Sequence, residues 1–168
     1  MIKPKFEKVS FEQFCSAADN GSKVDWVLDV AYNDVIKLPK RATKGSAGYD
    51  FVSPYDYTLR PGETVLIPTG IRCKMDESQV LLIVPRSGLG FKYRMQLNNT
   101  VGVIDSDYYY SDNEGHIMVK ITNDSNEGKT LEIKEGMAFC QGIFINYITT
   151  EDDDADGVRN GGFGSTTK

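Results

Sequence analysis

The 168-residue chain has one histidine, His116, and three widely spaced cysteines, Cys15, Cys73 and Cys140, with no CxxC pair. That scarcity argues against a structural zinc site. An odd, scattered set of cysteines also fits reduced thiols and a cytoplasmic location better than a disulfide-stapled scaffold. No apolar run is long enough to span a bilayer as a helix. Met1–Ser10 lacks the apolar core and cleavage site of a signal peptide, so none is expected. Positive charge is short as well. The formal net charge of −5 argues against a nonspecific nucleic-acid coat, although a small polyanion needs only local donors.

Turn formers, by contrast, are plentiful: 16 glycines and 6 prolines. Ser10 and Gln13 form a capping-box pattern, followed by Phe11, Phe14, Cys15 and Ala18 at helical spacing and a stop at Gly21. A short amphipathic helix is expected there, docked by its phenylalanines because it is too short to stand alone. The pattern then turns to strands. Candidates are Lys23–Val30, Asp34–Leu38, Thr64–Ile67, Ile71–Met75, Val80–Val84, Ile117–Thr122, Leu131–Ile133 and Met137–Ile148, with Pro68-Thr69-Gly70 read as a turn. Only Ser87–Tyr93 leaves room for a second short helix. Many short strands with regular turn signals predict an all-β sandwich or barrel. The expected organisation is an N-terminal extension over 1–22, a β core over 23–150 and a mobile, exposed arm over 151–168, beginning with the acidic run Glu151–Asp154.

Five segments carry candidate chemistry. Gly48-Tyr49-Asp50 sets a carboxylate beside a glycine and an aromatic. Arg86-Ser87-Gly88-Leu89 places a guanidinium, a hydroxyl and backbone amides between an apolar strand and a short helix, a pattern that suits phosphate or a plain strand-to-helix turn. Gly102-Val103-Ile104-Asp105 ends an apolar pair on an ionised carboxylate able to hold and deprotonate water, with Tyr108 three residues on to face a flat or sugar-like ligand. The same segment would also serve as a hairpin whose polar residues satisfy a turn. Gly136 and Gln141 mark a core strand with one polar member. Gly161-Gly162-Phe163-Gly164-Ser165-Thr166 joins flexible glycines to an aromatic and two hydroxyls.

In this order, over about Leu38 to Thr166, the five segments resemble the motifs of the trimeric dUTPase family. The resemblance implies a distorted jelly-roll, a homotrimer whose active sites draw on all three subunits, and Mg²⁺-assisted hydrolysis of dUTP to dUMP and pyrophosphate. Asp105 would orient the water that attacks the α-phosphorus. Asp50 would support the ion through its water shell. The hairpin from about Asn99 to Tyr108, with Gly102, Val103 and Ile104, would read uracil largely by backbone hydrogen bonds, and Asn99 would support it. Tyr108 would pack beneath the deoxyribose and leave no room for a 2′-hydroxyl. Arg86, Ser87, Gly88 and Gln141 would act at the phosphates or support them. Phe163 would fold over uracil, with Gly164, Ser165 and Thr166 closing on the phosphates.

The chain departs from the family pattern at several points. Tyr109 to Glu114 precede Gly115 where the family has about one residue, so a longer loop is expected, at the site rim or against a protein partner. The arginine position of the fifth motif is Val158, with Arg159 one residue late as the candidate γ-phosphate ligand. Ala138 stands where the fourth motif has arginine, and the N-terminal extension has no counterpart. The alternatives are a dCTP deaminase of the same fold and a dUTPase-like binding or regulatory protein that uses the insert or the N-terminal helix to hold a partner.

Overall fold

The computed structural model describes residues 2–19 and 29–161. They form β1 (Lys5–Lys8), α1 (Phe11–Asp19), α2 (Asp29–Val35), β2 (Tyr49–Val52), β3 (Tyr57–Leu59), β4 (Thr64–Lys74), β5 (Gln79–Pro85), α3 (Ser87–Tyr93), β6 (Met95–Leu97), β7 (Gly102–Ile104), a 3₁₀ turn (Ser106–Tyr110), β8 (Ile117–Asn123), β9 (Leu131–Ile133) and β10 (Ala138–Asn146). Two four-stranded sheets, ordered β1-β4-β8-β6 and β2-β10-β5-β7, and the pair β3-β9 are antiparallel throughout. The result is the expected all-β distorted jelly-roll with a few short helices.

Alternation builds the core. Along β8, Ile117, Val119 and Ile121 point inward, while Met118, Lys120 and Thr122 are less buried. They meet Ile67 and Ile71 of β4, Leu81 and Ile83 of β5, and Phe51 and Phe139, all essentially free of solvent. No helix among the described residues is long and apolar enough to cross a membrane. Cys73 and Cys140 are buried, and desolvation pushes the Cys73 thiol up to about 12 and Cys140 well above its ordinary value, which keeps both protonated.

Three strand expectations are corrected. Asp34–Leu38 is not a strand: Asp34 and Val35 end α2, where the Ile36 amide donates to the Tyr32 carbonyl at 3.0 Å. Tyr32 and Ile36, four residues apart, are buried on one helical face, and the Tyr32 hydroxyl donates to the Val9 carbonyl at 2.6 Å. Of the Lys23–Val30 candidate, residues 23–28 lie outside the described residues, and the remainder begins α2. Ser87–Tyr93 is therefore not the only second helix.

Pro68-Thr69-Gly70 is also not a turn. It is a bulge inside the continuous strand β4, marked by a register shift against β8 between Pro68 and Ile71. Side chains replace the ladder bonds that proline interrupts. Thr69 Oγ1 donates to the Ile117 carbonyl at 2.5 Å and accepts from the Ile71 amide at 3.1 Å, while the Gly70 amide donates to His116 Nε2 at 2.9 Å. Gly70 has φ +70°, and a Cβ there would lie 2.8 Å from Ile36. His116 is fully buried, and desolvation lowers its pKa to about 4, so it stays neutral and can accept.

The N-terminal extension docks on its own barrel. Its strand β1, absent from the sequence expectations, pairs with β4. Ser10 caps α1 as expected, its Oγ accepting from the Gln13 amide at 3.1 Å. The reciprocal half of the box is taken by Glu114, which accepts from the Ser10 amide at 2.7 Å and from its hydroxyl at 2.6 Å. Phe14 is fully buried with ring centroids 5.4 Å from Tyr32, 6.1 Å from Tyr55 and 6.1 Å from His116.

Candidate active site

β7 is the outer strand of its sheet, so one row of its backbone N–H and C=O groups has no strand partner among the described residues. It pairs with β5, Ile83 opposite Gly102 and Leu81 opposite Ile104. A Cβ on Gly102 would stand 3.1 Å from Ile83 Cβ, so glycine lets the two strands close up. The chain reaches β7 through a tight turn in which Thr100 takes φ +67° and the Val101 amide donates to the Asn99 carbonyl at 2.7 Å. The expected hairpin from Asn99 to Tyr108 is thus a strand on β5 followed by a 3₁₀ turn, because Asp105 leaves the sheet and Ser106–Tyr110 coil inward.

A cavity of about 690 Å³ opens here, lined by Asn99, Gly102, Val103, Ile104, Asp105, Tyr108 and Arg159 together with Leu66, Lys120 and neighbouring residues. Asp105 precedes the 3₁₀ turn with its side chain 45% exposed. Tyr108 is buried; its hydroxyl donates to the His116 carbonyl at 2.7 Å and accepts from Asn113 Nδ2 at 2.8 Å. Burial raises its pKa, so the phenol is protonated.

The arm enters the same cavity. Residues 151–158 are exposed, as expected of a surface segment, but Arg159 turns in and its side chain is only 18% exposed. Its Nη2 pairs with Asp105 Oδ2, its Nε lies 2.9 Å from Asp107 Oδ1, and its guanidinium carbon is 6.0 Å from the Tyr108 ring centre. Val158, in the usual arginine register, is 86% exposed. Phe163, Gly164, Ser165 and Thr166 lie outside the described residues.

A second cluster forms where β2, β10 and β5 meet. Gln141 lies in register between Asp50 and Val84. Arg86 Nε is 3.5 Å from Asp50 Oδ1, and Gln141 Nε2 donates to the Pro85 carbonyl at 3.4 Å. Gly48 makes room for the glutamine: a Cβ there would fall 2.2 Å from Gln141 Oε1. Arg86, Ser87 and Gly88 are exposed and open to a ligand.

The candidates therefore fall into two groups. The β5–β7 pairing ends with Ile104 opposite Leu81, one residue before Asp105, and Arg86 lies beyond the opposite end of β5. At about 3.3 Å per residue, that separates them by roughly 20 Å along the strand. Asp107 and Asn113 were not among the sequence candidates. Asp107 lies in the 3₁₀ turn and Asn113 in the loop after it, and only the fold reveals that one meets Arg159 and the other Tyr108.

The sequence profile of the dUTPase family matches residues 34–167. A deoxyuridine 5'-triphosphate nucleotidohydrolase of Lactococcus lactis is 40% identical over 137 residues, covering 80% of this chain and 90% of that protein. The crystal structure of a dUTPase from Streptococcus mutans superposes with a TM-score of 0.62 at 30% identity, over 87% of this chain and 98% of that one. The dUTPase from phage phi11 of S. aureus, described as having a species-specific insert, shares the fold with a TM-score of 0.64 at 20% identity, over 93% of this chain and 97% of that one. A profile match running from α2 to the end of the glycine-rich arm takes in both clusters and the strands that carry them, and on that footing this chain belongs to the dUTPase family.

Proposed function

We propose that this chain hydrolyses dUTP to dUMP and pyrophosphate with Asp105 aiming a water at the α-phosphorus. The carrying observation is the half-exposed Asp105 carboxylate on a cavity that also holds the buried Tyr108 ring and the free edge of β7. The unpaired backbone groups of Gly102–Ile104 suit the donor and acceptor edge of uracil, with Asn99 in support. A ring held at the site of Tyr108 suits the face of a deoxyribose. Arg159 has a part in both states. Without substrate it occupies Asp105 and Asp107; a triphosphate offers it denser acceptor oxygens and draws it off the base.

Trimeric assembly is part of this reading. Arg86 and Gln141 sit too far from Asp105 of their own chain to share one triphosphate with it. A second copy of the chain would bring its Arg86, Ser87, Gly88 and Gln141 to the phosphates, and the residues Phe163–Thr166 would close over the nucleotide. Mg²⁺ prefers oxygen donors and reaches many enzymes on substrate phosphates with its water shell largely kept. The side chains at the two clusters include the oxygen donors Asp50, Asp105 and Asp107, the ligand type that Mg²⁺ takes. Asp50, already facing Arg86, would support it through water. When bound, the ion neutralises phosphate charge.

A cytoplasmic location fits the free thiols of Cys73 and Cys140. Any protein partner of the insert would meet Tyr110, which is 72% exposed, because Tyr109 is committed to Glu7. The test is pyrophosphate release from dUTP, dCTP, dTTP and UTP with and without Mg²⁺, in wild type and Asp105→Asn. Only dUTP should turn over well, and the variant should lose about 10²–10⁴-fold in kcat, because an amide cannot take the proton. Wild-type turnover by the variant would remove Asp105 as the base.

A further inference from the structure

The insert touches the side chain of the cavity-lining Tyr108 at its hydroxyl. Tyr108 Oη donates to the His116 carbonyl and so has a lone pair left, which accepts from Asn113 Nδ2 at 2.8 Å. Asn113 is itself held. Its Oδ1 accepts from the Gly115 amide at 3.2 Å, and its carbonyl accepts from the His116 amide at 3.0 Å. Gly115 has φ +68°, and a Cβ there would lie 2.7 Å from the Tyr108 carbonyl oxygen, so the loop folds back hard against the tyrosine.

The rest of the insert is anchored to the first turn of α1 and to the β1–β4 pair. Glu114 clamps the first turn of α1 through Ser10. Tyr109 donates to Glu7 Oε2 at 2.5 Å, and the Arg72 guanidinium lies 4.3 Å from its ring centre. Those contacts fix the height of the Asn113 amide relative to the sheet, and the amide in turn fixes the phenol.

We propose that Asn113 is a positioning residue for sugar discrimination: its side-chain amide holds the Tyr108 ring at the level that admits a 2′-methylene and excludes a 2′-hydroxyl. This rests on the reading of Tyr108 as the platform beneath the deoxyribose. Repulsion between a ring and a buried hydroxyl is steep in distance, whereas contact with a methylene tolerates a few tenths of an ångström. Loss of the amide donor therefore affects UTP more than dUTP.

Asn113→Asp isolates the donor. The carboxylate still accepts from the Gly115 amide and keeps the turn, but it cannot donate to Tyr108, and the phenol can bond to it only by giving up the His116 carbonyl, which also shifts the ring. The ratio of kcat/KM for dUTP over UTP should fall about fivefold, the worth of one neutral hydrogen bond, and the change should appear in KM rather than kcat. In a Tyr108→Phe background, which lacks the hydroxyl, the same substitution should leave the ratio where Tyr108→Phe set it. An unchanged ratio in the single variant, or an equal fall in both backgrounds, overturns the proposal. Tyr108→Ala separates the two levels. If it relaxes discrimination while Asn113→Asp is silent, only the role of Asn113 fails. If Tyr108→Ala is itself silent, the sugar-platform reading fails and takes this proposal with it.

Discussion

The insert Tyr109–Glu114 and the arm Glu151–Gly161 both bear on Tyr108, the insert through its hydroxyl and the arm from within the cavity, and they do so through different kinds of contact. The insert is moored by four hydrogen bonds whose partners are Glu7, Ser10 and Tyr108, on a base that includes the fully buried Phe14. The arm is exposed from 151 to 158 and enters the cavity through the Arg159 side chain. A segment whose carboxylates are already satisfied by hydrogen bonds from the body of the protein, and whose base is packed, keeps its place when a charged ligand arrives. A segment held by a guanidinium on two carboxylates can exchange those partners for phosphate. One region sets the shape of the site; the other is suited to close it.

Loosening the fixed side at its base should have the largest effect. Phe14→Ala removes a fully buried ring that touches Tyr32, Tyr55 and His116. It should cost about 3–5 kcal/mol in a urea melt. A variant as stable as wild type would mean that the extension is not part of the cooperative unit, and the contrast with the arm would collapse.

The arm should behave in the opposite way. Deleting residues from Gly161 onward removes Phe163–Thr166, which lie outside the described residues, and leaves Arg159 in place. The expected outcome is a fall in dUTP turnover of about a hundredfold, on the scale of losing one transition-state contact, with no change in melting temperature. Normal turnover by the truncated protein would show that the arm does not close the site.

The sequence revealed these two regions unequally. Strand β8 was legible because Ile117, Val119 and Ile121 alternate with less buried residues, and the helix at Phe11 was legible from the Ser10 cap. Both are local signals. The Pro68–Gly70 bulge was not, since proline and glycine signal a turn, and only His116 and Ile117 arriving from a distant strand complete the missing bonds. Helix α2 hid for a related reason: Tyr32 and Ile36 declare their common face only when Val9 and Gly70 pack against it. In the site, Gly102–Tyr108 could be read as one run. The pairing of Arg159 with Asp105 and of Asn113 with Tyr108 joins polar loop residues whose spacing carries no periodic pattern.

The smallest expected effect lies where the insert grips the extension. Glu114 is partly buried, which by itself would raise its pKa, but the hydrogen bonds from the Ser10 hydroxyl and amide outweigh burial and hold the carboxyl below its usual value. A carboxyl lowered by folding contributes stability above its unfolded pKa and loses it as pH falls through the folded value. Glu7, held down to about 2 by Lys5 and Tyr109, acts in the same direction. Glu114→Gln keeps the shape and one acceptor, so it should cost only about 1 kcal/mol near neutral pH. It should also shrink, without abolishing, the drop in melting temperature between about pH 6 and about pH 3. A variant whose melting temperature falls with acid as steeply as wild type would show that the Ser10 clamp does not depend on the Glu114 charge, leaving the insert moored through Tyr109 and Asn113 alone.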